Sequence, residues 1–444
     1  MTTYWCEVAW LGGDEAASGV VIEVAGSMIT AVSGGHDVAP PGAVIRRGLT
    51  LPGLANAHSH AFHRALRGRT HGGSGSFWTW RDEMYEVATG LDPDRYYALA
   101  RAAYGEMVLA GFTSVGEFHY LHHGPGGAPY ANPNAMAEAL IAAACDAGLR
   151  LTLLDTCYLH GGLDADGGEV MLNDVQRRFA DADVDAWACR VDALSASESL
   201  RVGAAIHSVR ACRPPEIAVV ANWARERHAP LHAHVSEQPA ENVACVAAHG
   251  ATPTAVLDAA CALDARFTAV HATHLTSHDV ELLGRSSCTA CFCPTTERDL
   301  ADGIGPASAL VAAGARLAIG SDSHAVIDGF EETRAIELDE RLASNRRGNV
   351  GVATLLSAAT TNGHGSLGWH DAGRLAPGAR ADLVTVSLAS VRLAGTAARD
   401  ALASVVFAAT AADVTHVVVD GREVVSDGRH RSIDVGAELA AVLA

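Results

Sequence analysis

The sequence predicts an α/β protein in which a distorted (β/α)8 TIM barrel is joined to a small β-sandwich-like domain built from both termini. Two observations lead to this prediction. Eight short apolar runs alternate with helical patterns through the middle of the 444-residue chain, and such alternation is typical of a parallel barrel. Both ends of the chain instead contain short runs separated by Gly and Pro, which are typical of antiparallel strands and turns.

The terminal segments are predicted to form one β-domain. An Asp420-Gly421 pair lies between two valine-rich runs in THVVVDGREVV, and this pattern is a strong signal for a β-hairpin. We therefore expect a domain of residues 1–48 plus 377–444 around a barrel of residues 49–376. The other terminal runs predicted as strands are 20–24, 28–32, 43–47, 381–387 and 404–407.

The middle of the chain supplies the barrel. The eight runs predicted as its strands are 50–60, 113–120, 149–158, 200–210, 230–237, 267–275, 287–294 and 316–324. Amphipathic helical patterns fall between them, for example at 94–110, 133–147, 216–227 and 331–346. Glycine-rich segments at 72–76 and 122–129 follow the first two runs, where a barrel has its active-site loops. A flexible connector and a substrate lid are both open interpretations for these two segments.

The composition excludes several kinds of chemistry. The chain has 32 cationic residues, and all of them are arginine, so a Walker A lysine, a Schiff-base lysine and a carbamylated lysine are impossible. Arginine does not act as a base at neutral pH. Proton transfer must therefore fall to His, Asp, Glu, Cys or Tyr.

The net charge and the N-terminal sequence indicate which binding partners and which cellular compartment to expect. The net charge of −19 argues against nucleic acid and anionic membranes as partners. The opening MTTYWCEVAWLGGDE lacks the basic and apolar regions of a signal peptide, and the 10 cysteines are scattered. We expect a cytoplasmic protein with mostly free thiols.

Candidate metal ligands lie at the ends of three predicted strands. His58 and His60 are two residues apart, so on a strand both rings face the same way. His234 and Asp322 come from other strands that end at the same barrel mouth. Three imidazoles and one carboxylate suit one divalent ion, most of all Zn²⁺, with Fe²⁺ or Mn²⁺ as alternatives. The alternative is four polar side chains satisfied by hydrogen bonds in a polar core.

Two further residues are candidates for proton transfer. Glu237 follows His234 by three residues, and a carboxylate beside a metal can accept a proton from water and pass it to a leaving nitrogen. The alternative for Glu237 is a surface residue that begins the next helix. His271 lies within its apolar run, whereas His274 lies where the loop begins, and we therefore prefer His271.

Several motifs together resemble one known family. LPGLANAHSHAFHRAL, HVSEQ, VHATH and GSDSH resemble the amidohydrolase superfamily, in its mononuclear aminohydrolase branch, which needs no carbamylated lysine. More narrowly, HSHAF, SFWTWRD, EFHYLHH, HSVR and GSDSH resemble the N-formimino-L-glutamate deiminases of histidine degradation. The resemblance runs over roughly residues 45–380, and the flanking β-domain is similar as well.

The resemblance implies a reaction and a set of site residues. The reaction would be hydrolysis of N-formimino-L-glutamate to N-formyl-L-glutamate and ammonia, in a metal-dependent deaminase. Members of this family commonly have Gln where this chain has His63, which bears on one substrate contact. By resemblance, the metal ligands are His58, His60, His234 and Asp322, the catalytic groups are Glu237, His271 and Asp322, and the substrate contacts are Arg81, Tyr120, His207, Arg210 and His63.

The charge of such a substrate fits the residues independently. A dianion is not attracted by a strongly acidic protein, so it needs local fixed cations, and the guanidinium group binds carboxylates bidentately. Arg81 is expected in the loop after the first predicted strand and Arg210 follows the fourth, so both can face the mouth. The expected partner is a small dicarboxylate molecule; a homodimer is left open.

Other functions remain open from the sequence. A deaminase of the same branch that acts on a purine, pyrimidine or pterin would use aromatic stacking and amide contacts rather than two arginines. An imidazolone ring hydrolase would not need two carboxylate contacts. A catalytically inactive scaffold would be expected to have lost some of the six chemical groups.

Overall fold

The computed structural model describes residues 1–70 and 77–444, with only the backbone of residues 77 and 78. The glycine-rich segment predicted at 72–76 lies outside these residues. The strands are β1 (Thr2–Ala9), β2 (Ala17–Ala25), β3 (Met28–Ser33), β4 (Val44–Pro52), β5 (Leu54–Ser59), β6 (Phe112–His119), β7 (Arg150–Cys157), β8 (Gly162–Leu163), β9 (Glu169–Val170), β10 (Leu200–Ile206), β11 (Leu231–Val235), β12 (Phe267–His271), β13 (Thr289–Phe292), β14 (Arg316–Ile319), β15 (Leu383–Val386), β16 (Val414–Val419), β17 (Arg422–Ser426) and β18 (Arg429–His430).

The helices fill the connections between the strands. They are α1 (Phe77–Thr89), α2 (Pro93–Leu109), α3 (Ala135–Ala147), α4 (Val184–Asp192), α5 (Pro214–Glu226), α6 (Pro239–His249), α7 (Pro253–Ala259), α8 (Ser277–Arg285), α9 (Pro294–Asp299), α10 (Ala307–Ala313), α11 (Gly329–Ser344), α12 (Val352–Ser357), α13 (Gly363–Ser366), α14 (Ala401–Ala408) and α15 (Val435–Leu443). Short 3₁₀ helices cover Ala61–Leu66, Pro125–Gly127, Gln176–Arg178, Ala398–Asp400 and Ala411–Asp413, and a π-helical turn covers Ala358–Asn362.

The barrel is one parallel sheet in the order β5-β6-β7-β10-β11-β12-β13-β14. Its strands coincide with the eight predicted runs, so the (β/α)8 prediction is confirmed. The first and last strands meet through a parallel bridge between Ser59 and Asp322. The backbone nitrogens of Ser321 and Asp322 both donate to the carbonyl of His58 at 3.1 Å. The seam of the barrel is therefore formed by the same two segments that carry predicted ligands.

The chain termini form a second, mixed sheet in the order β18-β17-β16-β15-β4-β1-β2-β3. Strand β4 pairs in parallel with β1 and antiparallel with β15, so both ends of the chain share one sheet, as predicted. The hairpin of β16 and β17 turns at Asp420 and Gly421, which have φ of 49° and 74°, as a type I′ turn requires. The division into residues 1–48 plus 377–444 and 49–376 stays a prediction.

One terminal prediction was wrong. Residues 404–407 were predicted as a strand, but they lie inside helix α14 (Ala401–Ala408). Ala401, Leu402, Val405 and Val406 are buried there, whereas Ala403, Ser404, Phe407 and Ala408 are less so, which is the spacing of one helix face. A short apolar run does not distinguish a strand from a buried helix.

A buried ion pair joins the barrel to the terminal sheet, at the end opposite the predicted ligands. Arg150, at the start of β7, donates through Nη1 to Oδ1 of Asp382 and Oδ1 of Asp420, each at 2.9 Å. Its Nη2 donates to the second oxygen of Asp382 and to the hydroxyl of Ser114. The ion pair holds the amino-terminal end of the barrel strands against the terminal sheet. The carboxyl ends, where the predicted ligands lie, are not covered by this contact.

Among the helices in the described part of the chain, none combines the length and the apolar character that crossing a membrane requires.

Candidate active site

Four predicted ligands converge at the carboxyl ends of the barrel strands. His58 lies on β5 and His60 directly after it, so their rings share one face of the strand. His234 lies near the end of β11, and Asp322 follows β14 across the seam. All four residues are buried.

The ligand atoms face one another at short distances. Nε2 of His58 is 3.2 Å from Oδ1 of Asp322, and Nε2 of His60 is 3.4 Å from the same oxygen. Nε2 of His58 is also 3.3 Å from Nε2 of His234. Potential ligand atoms of His58, His60 and Asp322 lie within 4.8 Å of one another, and so do those of His58, His234 and His271.

Hydrogen bonds to the backbone fix which ring nitrogens face the centre. Nδ1 of His60 donates to the carbonyl of Phe118, and Nδ1 of His234 donates to the carbonyl of His207, each at 2.9 Å. A neutral imidazole that donates through Nδ1 has a lone pair on Nε2. Two inward lone pairs beside a carboxylate need a cation between them, so these residues fit a divalent metal ion.

Burial and charge favour the ligand forms of these groups. Burial lowers the pKa of His58, and it lowers the pKa of His60 to about 3. Burial also holds the pKa of His234 well below its ordinary value. Burial would raise the pKa of Asp322, but the hydrogen bond and charge of His58 hold it well below its usual range. Neutral imidazoles and an ionised carboxylate are the forms that bind metals.

Glu237 and His271 lie beside this cluster, as predicted. Oε1 of Glu237 is 3.8 Å from Nε2 of His271, and that nitrogen is 3.9 Å from Oδ2 of Asp322. Burial raises the pKa of Glu237 to about 7, where a carboxyl group can both accept and release a proton. His274 instead donates through Nε2 to the carbonyl of Asp302 at 2.6 Å. Of these two histidines, His271 is therefore the one that lies beside the ligands.

A further carboxylate, that of Glu297, contacts the ring nitrogen of His271 that faces away from Glu237. It was not predicted from the sequence. Oε1 of Glu297 is 3.3 Å from Nδ1 of His271 and accepts a hydrogen bond from the backbone nitrogen of Cys293 at 2.8 Å. Burial opposes a charge on His271, but Glu237, Glu297 and Asp322 together raise its pKa well above the ordinary value. Glu297 belongs to no motif, and only its position in the first turn of α9, the helix that follows β13, could have suggested a role.

A cavity opens next to the ligands. The five predicted substrate residues all line it: His63, Arg81, Tyr120, His207 and Arg210. The remaining wall is rich in aromatic rings, contributed by Trp80, Tyr85, Tyr158 and Phe179. The structure therefore brings every predicted site residue to one place.

Arg210 is the cation of this cavity with the clearest unmet hydrogen-bonding capacity. Its Nε is buried and has no hydrogen-bond partner within residues 1–70 and 77–444. The nearest acid is Glu241, with Oε1 3.8 Å from that nitrogen. Glu241 is itself buried and accepts through Oε2 from the backbone of Glu237 at 3.1 Å. Glu241 was not predicted from the sequence, and its place four residues after Glu237 in the first turn of α6 was the available signal.

The other predicted substrate contacts line the same cavity. Arg81 lies on helix α1 rather than in an irregular loop, with its guanidinium carbon 5.6 Å from the ring centre of Tyr85. Nε2 of His63 and the hydroxyl of Tyr120 are 2.9 Å apart. Nδ1 of His207 is 3.2 Å from the hydroxyl of Ser208.

A second histidine cluster near the rim is explained without a metal. Nε2 of His122 donates to the carbonyl of Thr156 at 2.9 Å, and its Nδ1 lies 3.3 Å from Nε2 of His119. Each contact thus pairs one donor with one acceptor. The nearby Asp155 already accepts two bonds from Arg190, at 2.8 and 2.9 Å. This cluster is a hydrogen-bonded part of the core.

Comparison with known proteins matches this geometry. Residues 49–424 match the model of the Amidohydrolase family, which is most of the chain. The chain belongs to the amidohydrolase family. Together with the buried His/Asp cluster and the similarity to the deaminases described next, this membership identifies the chain as a metal-dependent deaminase.

Relatives within the family carry different substrate names. The chain is 38% identical over 397 residues to formimidoylglutamate deiminase of Pseudomonas aeruginosa, covering 86% of each chain. It is 28% identical to 5-methylthioadenosine/S-adenosylhomocysteine deaminase of Natronomonas pharaonis, covering 88% of this chain and 84% of that one. A solved amidohydrolase structure from Brucella melitensis superposes with a TM-score of 0.91 at 34% identity, covering 100% of this chain and 99% of that one.

Proposed function

We propose that this enzyme hydrolyses N-formimino-L-glutamate to N-formyl-L-glutamate and ammonia. The observation that carries the proposal is the pair of arginines, Arg81 and Arg210, that line the cavity next to the metal-binding residues. The buried, unmet Nε of Arg210 needs an acceptor, and a substrate carboxylate would supply one. The similarity to a formimidoylglutamate deiminase supports the same choice.

In this proposal His58, His60, His234 and Asp322 hold one divalent ion. Three nitrogen donors and one oxygen donor with space for water suit Zn²⁺ best. The ion, when bound, would supply Lewis acidity that makes water nucleophilic at neutral pH. His60 and His234 keep their Nε2 atoms available for it through the Nδ1 bonds to the backbone.

Glu237 would move the protons of the reaction. Water adds to the formimino carbon, and Glu237 accepts a proton from that water on a carboxylate oxygen. That proton is delivered to the terminal nitrogen, which becomes an amine on a tetrahedral carbon. The remaining proton of the added water passes through Asp322 to this amine as the carbonyl forms, the C–N bond breaks, and ammonia leaves. A pKa raised by burial to about 7 suits a group that must both accept and donate this proton.

His271 and Asp322 would assist at the reacting carbon. Nε2 of His271 lies between Glu237 and Asp322, at 3.8 and 3.9 Å, and its proton can stabilise charge on the tetrahedral intermediate. Glu297, bonded at Nδ1, keeps the ring in this orientation. Asp322, as an ionised carboxylate, can share the proton of the attacking water.

Aromatic lining favours a second candidate, the deamination of a purine-like ring. Trp80, Tyr85, Tyr120, Tyr158 and Phe179 contribute to the cavity wall and could stack on a planar heterocycle. The arginines argue against this candidate, because a neutral ring offers no anion to Arg210.

Ammonia release by the zinc-loaded protein tests the choice. N-formimino-L-glutamate should be turned over with a kcat/KM about 10- to 150-fold above those of 5′-methylthioadenosine and 8-oxoguanine, since a hydrogen bond between Arg210 and a substrate carboxylate, which a neutral ring cannot form, contributes about 1.5–3 kcal/mol. Faster release from either heterocycle would contradict the proposal.

A further inference from the structure

Glu117 is a fully buried acidic residue inside the barrel wall. It lies on β6, where every residue is buried, and it makes no ion pair with any residue in the described part of the chain. An ionised carboxylate without a cation is unfavourable in such a place. Burial accordingly raises the pKa of Glu117 to about 8. A group this costly to bury calls for a specific role.

Both oxygens of Glu117 hold the segment that carries two proposed ligands. Oε1 accepts a hydrogen bond from the backbone nitrogen of Ala61, and Oε2 contacts the hydroxyl of Ser59, each at 2.7 Å. Ser59 and Ala61 are the immediate neighbours of His60, and Ser59 also follows His58. The carboxyl group thus fixes the chain on both sides of His60.

A series of contacts continues from Ser59 on β5, across the seam of the barrel, to the segment that contains Asp322. The hydroxyl of Ser59 is 3.2 Å from Nε2 of His324, and Nδ1 of His324 is 3.0 Å from the hydroxyl of Ser321. Ser321 immediately precedes Asp322. The chain of contacts from Glu117 therefore ends beside the carboxylate ligand.

A further pair of bonds ties Ser321 back to β5. Nδ2 of Asn56 donates to the hydroxyl of Ser321 at 2.6 Å, and the backbone nitrogen of Ser321 donates to Oδ1 of Asn56 at 3.0 Å. The five residues of this network are each 0% exposed: Asn56, Ser59, Glu117, Ser321 and His324. Water therefore does not compete for these bonds.

The contacts form a series in one direction. The hydroxyl of Ser321 can donate to Nδ1 of His324, Nε2 of His324 can donate to the oxygen of Ser59, and the hydroxyl of Ser59 donates to Oε2 of Glu117. Every donor in this series meets an acceptor, which is the condition for a buried polar network to be rigid.

We propose that Glu117 is a positioning residue for the metal centre, which holds His58 and His60 at a preset distance from Asp322 before the ion binds. The inference rests on the ligand assignment in the proposed function. Groups that orient metal ligands typically contribute about 10- to 100-fold to metal affinity. Glu117 would act in that way through the backbone of the ligand segment rather than through the imidazole rings.

The test compares zinc dissociation constants of the metal-free proteins by competition with a chromophoric chelator. E117A should bind zinc about 10- to 100-fold more weakly than the native chain. E117Q should stay within about threefold of native, because its amide can donate to Ser59 while its oxygen accepts from Ala61. Thermal unfolding of each metal-free protein reports separately on folding.

A matched control is E337A. Glu337 is also a buried acid, and it accepts bonds from the backbone nitrogens of Gly348 and Val350, each at 2.7 Å, in a loop that carries no proposed ligand. E337A should lower thermal stability and leave zinc affinity unchanged. Should E117A fail to fold, S59A removes the bridging hydroxyl with less disturbance and should weaken zinc binding in the same direction.

The outcomes separate this inference from the proposed function. Native-like zinc affinity in E117A or S59A, or equal weakening in E117A and E337A, would overturn the positioning role and leave the proposed reaction standing. A native chain that binds no zinc would overturn both. Substrate is absent from the measurement, so the identity of the substrate does not affect the result.

Discussion

Nδ1 of His234 donates a hydrogen bond to the backbone carbonyl of His207, 2.9 Å away. Strands β10 and β11 are neighbours in the barrel, and this bond connects a proposed metal ligand to a proposed substrate contact. The link uses the backbone of His207, whereas its side chain faces the cavity. The proposed metal site and the proposed substrate contact thus meet at His207, the first through its backbone carbonyl and the second through its side chain.

Substitution of His207 by alanine should separate these two roles. The backbone carbonyl remains, so metal content should stay at the native level, while a contact to a substrate carboxylate is lost. Because a hydrogen bond to a charged group contributes about 1.5–3 kcal/mol, kcat/KM should fall about 10- to 150-fold. Elemental analysis and steady-state kinetics on the same preparation check this, and a variant that loses its metal would disprove the separation.

Metal removal should abolish activity. We expect one tightly bound divalent ion per chain, because His58, His60, His234 and Asp322 supply four donors. Exhaustive chelation should eliminate ammonia release, and stoichiometric Zn²⁺ should restore it. His58→Ala and Asp322→Ala should each be inactive even with excess zinc. Activity that persists after chelation, with no metal detected, would refute the ligand assignment.

Glu237→Gln should reduce turnover with little effect on binding. Glutamine keeps the shape of the side chain but cannot transfer a proton, so kcat should fall by about 10²–10⁴-fold, the usual contribution of a general acid–base group. Metal content and KM should remain near native. Turnover close to the native rate would assign the proton transfer to another residue.

The barrel and its ligands could be predicted from the sequence because their signals are local. Each strand is a short apolar run, and His58, His60, His234, His271 and Asp322 lie at or near the ends of such runs. Strand β1 was missed, although Tyr4, Cys6 and Val8 alternate along it and are buried, which is the period of a strand. The run 404–407 was too short to show whether it was strand or helix.

The carboxylates around the site were less accessible to sequence analysis. Glu117, Glu241 and Glu297 act through partners that are distant along the chain or join only in the fold, such as Ala61, Arg210 and His271. A single acidic residue inside the apolar run of β6 was a usable signal for Glu117. For Glu297, no feature of the sequence connects it to His271, because the contact depends on the packing of neighbouring strands.

Arg150 should be important for stability in a pH-dependent way. Burial would raise the pKa of Asp382, but Arg150 lowers it below the ordinary value. A lowered pKa in the folded state means that the pair stabilises fully above the unfolded pKa of about 3.9 and loses this contribution as the pH falls through the folded value. Arg150→Met leaves a buried carboxylate unpaired, which should cost about 3–5 kcal/mol at pH 7.

Denaturant unfolding of native and Arg150→Met proteins at pH 7 and pH 4 measures this effect. The difference in unfolding free energy should be large at pH 7 and smaller at pH 4, because burial without Arg150 raises the pKa of Asp382 in the variant, so that a proton neutralises this carboxyl at pH 4. Arg213→Met is a control for a surface ion pair, since Arg213 and its partner Glu169 are 49% and 53% exposed, and it should cost far less. Equal costs for the two arginines would contradict the assignment of the junction to Arg150.

Recognition of a dianion by Arg210 and Arg81 is tested most directly by kcat/KM for N-formimino-L-glutamate and N-formiminoglycine in native, Arg210→Met and Arg81→Met proteins. Glu241→Gln serves as a control, because Arg210→Met also removes the cation nearest to Glu241. The account predicts that each arginine variant loses about 2–4 kcal/mol of transition-state stabilisation, about 30- to 1000-fold, on formiminoglutamate. Formiminoglycine, which lacks one carboxylate, should be a poor substrate of the native enzyme and should be insensitive to one of the two substitutions. Native rates on formiminoglutamate in both arginine variants would contradict the account and favour a neutral heterocycle as the substrate.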